Sequence, residues 1–212
     1  MAKTRSIVDR DRTAGPRRSQ ADRSAGTRAA LEDATINLLI ERGWAAVTAI
    51  EVCNRAGVSR GAFHHHYPSL SNLLAEALRR LYSEMRTTKR PPATDLVQLV
   101  DATWQQIGNP RFKAVLEAWL AMANDPALRR EIGPVVAEFA NLVRPENATT
   151  ALLAHAEDRA LYLMAREALL GLALGRATNG GRALGHEAAV LTQLRTTIAL
   201  ACSERPPRLR IP

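Results

Sequence analysis

Residues 48–67 read TAIEVCNRAGVSRGAFHHHY, and their spacing predicts two short helices joined by a tight turn. Thr48 is a good helix N-cap, and Glu51 follows at the three-residue spacing of a capping box. Ile50, Val52 and Cys53 give the first helix apolar side chains to bury. Ala56-Gly57-Val58 forms the turn: Gly57 can take the positive φ that ends a helix, and Val58 tucks inward behind it. Ser59 caps the second helix, in which Phe63 and Tyr67, four residues apart, share a face. The others in that helix are Arg60, Gly61, Ala62, His64, His65 and His66. These are hydrogen-bond donors and small residues, poor material for a core and well suited to base edges and phosphates.

Working outward, Leu31, Ala34, Thr35, Leu38 and Leu39 recur at a 3.6-residue period and predict a helix over Arg28–Arg42. Gly43 ends it, and Trp44 and Val47 pack back onto the core. On the other side Pro68 stops the second short helix and Ser69 caps another, running to about Arg86 with Leu73, Leu74, Ala77, Leu78 and Leu81 inward. Lys89-Arg90-Pro91-Pro92 breaks the chain and marks a boundary. The division expected is a basic, unstructured arm over 1–24, a helix-turn-helix domain over 25–90, a second helical domain over 91–204 and a basic tail over 205–212.

The charge supports that division. Residues 1–90 hold 16 Lys and Arg against nine Asp and Glu, whereas 91–212 hold 13 against 12, so nearly all of the net +8 lies in the first part. A polyanionic partner is expected there alone. The two cysteines, Cys53 and Cys202, make no disulfide framework, which suits a reducing cytoplasm. No apolar run reaches the 18 or so residues of a membrane span, and no signal-peptide hydrophobic region opens the chain.

Beyond the boundary every segment reads as helix. The expected spans are Asp95–Ile107, Arg111–Asn124, one opening at Pro126, kinked near Gly133-Pro134 and closed by Arg144-Pro145, a long one over about Asn147–Ala177, and His186–Cys202. Small and apolar residues on the last two, among them Gly171, Leu172 and Gly175 with Leu191, Leu194 and Ile198, suit a four-helix bundle formed by two chains.

Several chemistries are disfavoured. His64, His65 and His66 are consecutive, so their side chains diverge by about 100° each and cannot converge on one metal ion. Glu157 and Asp158 diverge likewise. His155 and His186 stand alone. No nucleophile elbow, phosphate-binding glycine loop or paired zinc motif occurs. No catalytic residue, metal site or cofactor is expected.

The segment Arg28–Leu78 resembles the N-terminal domain of the tetracycline-repressor (TetR) family of bacterial transcription regulators. The residues carrying the resemblance are Glu41-Arg42-Gly43-Trp44, Thr48, Arg55-Ala56-Gly57-Val58-Ser59-Arg60-Gly61, Phe63-His64-His65-His66-Tyr67, Ser69 and Leu73-Leu74. One departure stands out: Leu70 occupies a position where the family usually has a phosphate-gripping Lys. The resemblance implies an all-α fold of about nine helices, a helix-turn-helix domain followed by a helical ligand-binding and dimerisation domain. It implies a homodimer on a palindromic operator in double-stranded DNA, released by a small-molecule effector. By that analogy and helical geometry, Arg60 reads a guanine edge and Gly61 and Ala62 allow close approach. His64, His65 and His66 contact bases or phosphates, and Thr48 and Ser59 meet phosphates. The resemblance also implies a cavity in the second domain, where Trp104, Trp119, Met122, Phe139, Tyr162 and Met164 are the large adaptable side chains and suit an apolar ligand. Two alternatives stay open: the same fold without a ligand, and an all-α binding module or enzyme whose helix-turn-helix is only structural.

Overall fold

The computed structural model describes residues 20–87, 92–142 and 151–204, with side chains left out at 87, 140–142 and 151. The expected arm through residue 19, the break at 89–91, the Arg144-Pro145 stop, the Asn147 helix start and the tail over 205–212 lie outside the described residues. Among the described residues the secondary structure is entirely helical: α1 (Gln20–Arg42), α2 (Ala49–Ala56), α3 (Arg60–His66), α4 (Leu70–Thr87), α5 (Leu96–Ile107), α6 (Phe112–Asn124), α7 (Pro126–Leu142), α8 (Ala156–Thr178) and α9 (Glu187–Ser203), with 3₁₀ turns at Trp44–Ala46 and Ala151–Leu153. None of these helices is long and apolar enough to cross a membrane.

Most boundaries follow from the caps. Thr48 Oγ1 accepts the Glu51 N–H, Ser59 Oγ the Ala62 N–H, Ser69 Oγ the Asn72 N–H at 3.1 Å and Asp95 Oδ1 the Gln98 N–H at 2.8 Å. Three expectations need correction. The helix expected from Arg28 begins at Gln20, inside the segment assigned to the unstructured arm. Those leading turns are almost wholly exposed, so no apolar periodicity announces them; Gln, Ala and Arg sustain them by propensity. The long helix expected from Asn147 begins instead at Ala156, after the 3₁₀ turn Ala151–Leu153. The capping box at Thr48 is only half made: the Thr48 side chain caps, but Glu51 Oε2 is bound by Arg42 at 2.7 Å.

Two apolar cores hold these helices. The larger gathers Leu31 and Leu39 of α1, Val52 of α2, Phe63 of α3, Leu73 and Leu78 of α4, Phe112 and Val115 of α6, and Leu128 and Ile132 of α7. It runs without interruption across the boundary expected at residues 90–91, so the helix-turn-helix part and α6–α7 share one interior. The smaller joins Leu96 and Val100 of α5, Tyr162, Leu169 and Leu172 of α8, and Ile198 of α9. Trp104 and Ile107 pack against both. Each fully buried leucine contributes about 1.5–3 kcal/mol by leaving water. Ile50, read as inward, is exposed at 56%, and on α6 Leu120 is exposed at 55%.

Polar contacts from α6 tie it to the end of α1. Lys113 Nζ donates to the Ile40 carbonyl at 2.7 Å, a cation at a helix C-terminus. One turn on, Glu117 Oε2 accepts the Trp44 N–H at 3.0 Å. Gly43, at φ +76°, sits against that carboxylate, where an added Cβ would come within 3.0 Å of Oε2.

Candidate nucleic-acid interface

The interface begins with the turn between α2 and α3. Gly57 adopts φ +66°, ψ 32°, and behind it the Val58 N–H closes onto the Cys53 carbonyl at 3.1 Å. Val58 then packs against the core. This reversal lets α3 cross α2 with Phe63 1% exposed and Tyr67 4% exposed, ring centroids 6.4 Å apart. Their burial fixes the rotation of α3. Arg60, Gly61, His64 and His65 therefore face outward, with Ala62 and His66 at the margin.

The side chains on this face have different electrostatic states. Among the described residues no carboxylate pairs with Arg60, whereas Arg42 pairs with Glu51 and Arg55 with Glu41. The Arg55 guanidinium holds the Glu41 carboxyl below its ordinary range. Burial, then His65, then Arg28 push the His66 imidazole downward, so it favours the neutral form and can offer one donor and one acceptor. His65 and His66 stand edge to face at 5.0 Å. Thr48 and Ser59 are exposed and accept a cap N–H, which leaves each hydroxyl hydrogen free to be donated to a phosphate. Leu70, in place of a lysine, packs against the core. Burial raises the Cys53 thiol, which is 3% exposed and stays protonated.

Periodicity gave no sign of the polar framework behind α3. The Tyr67 hydroxyl donates to Glu32 Oε1 at 2.7 Å, and burial with this bond pushes the phenol far above its ordinary range. Long-range pairs of this kind lack a local sequence signature.

The six side chains expected around one cavity are not brought together. Trp119, Met122 and Phe139 pack in or against the larger core and Tyr162 in the smaller, with Trp104 touching both. Met164 is 50% exposed on the outer face of α8. Trp119 Nε1 donates to the Tyr82 hydroxyl at 3.3 Å, Phe139 stacks on Tyr82 at 3.9 Å, and Tyr162 shares a 3.0 Å hydrogen bond with Thr103. A cleft of about 170 Å³ opens between α4 and α7, bordered by Tyr82, Ser83, Val135 and Phe139. A wider one of about 370 Å³ lies between the end of α1, the start of α6 and the end of α8. Its cations are already engaged, Lys113 with Ile40 and Arg176 with Glu187 and Gly108.

The six expected bundle residues divide as well. Leu172 (5% exposed) and Ile198 (0%) belong to this chain's own core, against which Leu191 and Leu194 pack. Gly175 is held small by Leu184, whose Cδ1 would stand 2.5 Å from an added Cβ. Gly171 has open space beside it.

A capped helix-turn-helix with a donor-rich outer face, seated on a helical body, is the arrangement found in helix-turn-helix DNA-binding proteins. Residues 31–77 match the family model described as bacterial regulatory proteins, tetR family. The chain is 34% identical over 123 residues to the HTH-type transcriptional regulator CymR of Pseudomonas putida, covering 55% of this chain and 61% of that one. The chain thus spans about six-tenths of that curated relative's length. Its fold resembles a transcriptional regulator from Rhodococcus sp. Rha1 (TM-score 0.62, 18% identity, 85% of this chain and 99% of that one). It also resembles the multidrug binding protein EbrR complexed with imidazole (TM-score 0.55, 23% identity, 87% and 98%).

Proposed function

We propose that the protein is a cytoplasmic homodimeric repressor that places two copies of α3 in successive major grooves of a palindromic operator, about 34–36 Å apart. The observation that carries this reading is the division of α3: Phe63 buried, and Arg60, Gly61, His64 and His65 exposed beside two helix caps. Arg60 reads a guanine edge through its fork. Gly61 and Ala62 bring the backbone close. His64, His65 and His66 add base or phosphate contacts, and Thr48 and Ser59 bind phosphates. Residues 25–90 form the DNA-reading part and 91–204 the regulatory part, the basic residues of 1–24 adding sequence-independent attraction.

The partner subunit covers the outer faces of α8 and α9. Met164, Gly171 and Leu174 lie along one face of α8, and Leu200 (56% exposed) is the large apolar residue outside α9. Leu191 and Leu194, half-buried, border that surface. The effector is a small, largely apolar molecule that enters between α4 and α7, against Tyr82, Phe139, Trp119 and Met122. The cleft there is smaller than the roughly 300 Å³ of an ordinary ligand site, so occupancy has to part α4 from α7. Because α4 follows directly from α3, that displacement changes the spacing of the two reading helices and weakens operator binding by linkage. The ligand complex of EbrR supports this part of the reading.

The test is selection of bound sequences from random duplexes, followed by titration of the enriched site. Arg60→Ala is expected to cost about 1–3 kcal/mol of affinity and to relax preference at one base pair per half-site. A variant that binds like the wild type refutes the assignment of α3.

A further inference from the structure

The contacts behind α3 continue, bond by bond, into the regulatory part. Tyr67 is the residue on which α3 ends: its N–H closes the last turn onto the Phe63 carbonyl at 2.8 Å, and Pro68 follows. Its hydroxyl is held by Glu32 Oε1 of α1 at 2.7 Å. The other oxygen of that carboxylate, Oε2, takes Arg80 Nη1 of α4 at 3.4 Å. Arg80 Nε reaches Glu84 Oε1 at 3.0 Å, and Glu84 Oε2 takes Arg111 Nη2 at 2.6 Å, immediately before the first residue of α6. Arg80 is further held by the Ala29 carbonyl at 3.2 Å and by Asp33.

Two features make this more than a row of surface ion pairs. Glu32 and Glu84 each use one carboxylate oxygen for each neighbour, so neither can follow one partner without slackening toward the other. The Glu32–Arg80 end is also partly withdrawn from water, with side chains 15% and 30% exposed, where charge-assisted hydrogen bonds are stronger than at the surface, whereas Glu84 and Arg111 are 42% and 43% exposed. The far end, Tyr67, is buried at 4% exposure and cannot trade Glu32 for solvent without moving the end of α3.

We infer that Glu32 is a positioning residue for DNA reading, and that the relay Arg111–Glu84–Arg80–Glu32–Tyr67 couples the start of α6 to the angle at which α3 is presented. The inference rests on α3 being the DNA-reading helix, but the relay itself is a property of the protein without DNA. It assigns to these five residues a role that touches neither base nor effector: when α6 shifts, Arg111 draws Glu84 with it, Arg80 is released toward Asp33, and Glu32 no longer pins Tyr67.

Two measurements on the full chain test this. Amide hydrogen exchange over residues 60–67 is compared in the wild type, Arg111→Gln and Arg79→Gln, the last breaking the exposed Arg79–Glu76 pair outside the relay. Arg111→Gln is expected to speed exchange in α3 about threefold or more, with Arg79→Gln close to wild type. In parallel, Arg111→Gln, Tyr67→Phe and the double variant are titrated with the operator selected from random duplexes. The double variant is expected to bind about twofold or more tighter than the product of the two single losses requires, because both break one relay. Glu32→Gln is expected to weaken binding and Glu32→Asp to restore part of it. Exchange in α3 unaltered by Arg111→Gln, or losses that multiply, overturns the relay. A wild type that enriches no duplex while α3 exchange still responds to Arg111 refutes the DNA-binding reading and leaves the relay standing.

Discussion

Glu117 on α6 accepts the backbone N–H of Trp44, 73 residues earlier, at 3.0 Å. The bond crosses from the helical body to the turn whose last residues lead into Thr48, the N-cap of α2. Glu117→Ala removes that acceptor and leaves a partly buried N–H unpaired. A loss of about 1–3 kcal/mol is expected, read as a lowered urea midpoint at unchanged slope.

Gly43 faces the same carboxylate with φ +76°. Gly43→Ala meets two penalties at once, a left-handed backbone and a Cβ placed 3.0 Å from Glu117 Oε2. Destabilisation of about 1–3 kcal/mol is expected. Pairing it with Glu117→Ala in a double-mutant cycle should recover the steric part and leave the backbone part.

Glu187 sets an acid limit to stability. It is 6% exposed, and its bond to Arg176, at 2.6 Å from Oε2 to Nε, holds the carboxyl below its ordinary value of 4.5. A depressed folded-state value means that the stabilisation is complete above about pH 4.5 and is lost as pH falls through the lower value. Glu187→Gln should therefore destabilise at pH 7 and show a shallower acid limb than the wild type between about pH 5 and 3, followed by thermal unfolding across that range.

Among the leucines, Leu73 at 0% and Leu120 at 55% exposure set the contrast between core and surface. Leu73→Ala is expected to cost about 2–5 kcal/mol, and Leu120→Ala less than about 0.5 kcal/mol. Equal losses in chemical denaturation contradict the packing of α4 and α6.

Sedimentation tests the proposed pairing of two chains through the outer face of α8. Leu174→Glu, on the exposed face of α8, should yield folded monomers with native helical circular dichroism. Ile198→Glu, 0% exposed, should cost fold and assembly together. A Leu174→Glu protein that remains dimeric assigns the partner to another face.

The parts legible in the sequence were those written locally. Thr48, Gly57, Ser59 and Asp95 announce helix ends through their own backbone chemistry, and Phe63 and Tyr67 announce a buried face through their spacing. The N-terminal turns of α1 carry no such mark because they bury almost nothing. Ile50 shows the limit of reading a helix by residue type, since the face of α2 is decided by Val52 and Cys53, which α1 covers. Sequence could suggest that large side chains such as Trp104 and Trp119 matter, but which core each joins depends on how α5 and α6 cross α8 and α4. Arg80 and Glu84 stand at the local i,i+4 spacing, but the contacts that tie them and Glu32 to other helices were illegible for the same reason: they span 27 to 51 residues.

Pro134 sits inside α7 and has no N–H to close the ladder onto the Arg130 carbonyl. The half of α7 bearing Leu128 and Ile132 is thereby mechanically separable from the half bearing Phe139, the ring stacked on Tyr82. If an effector parts α4 from α7 as proposed, selection for heat resistance and selection for inducibility pull in opposite directions at this one imino acid: an alanine there would mend the helix and stiffen the proposed switch.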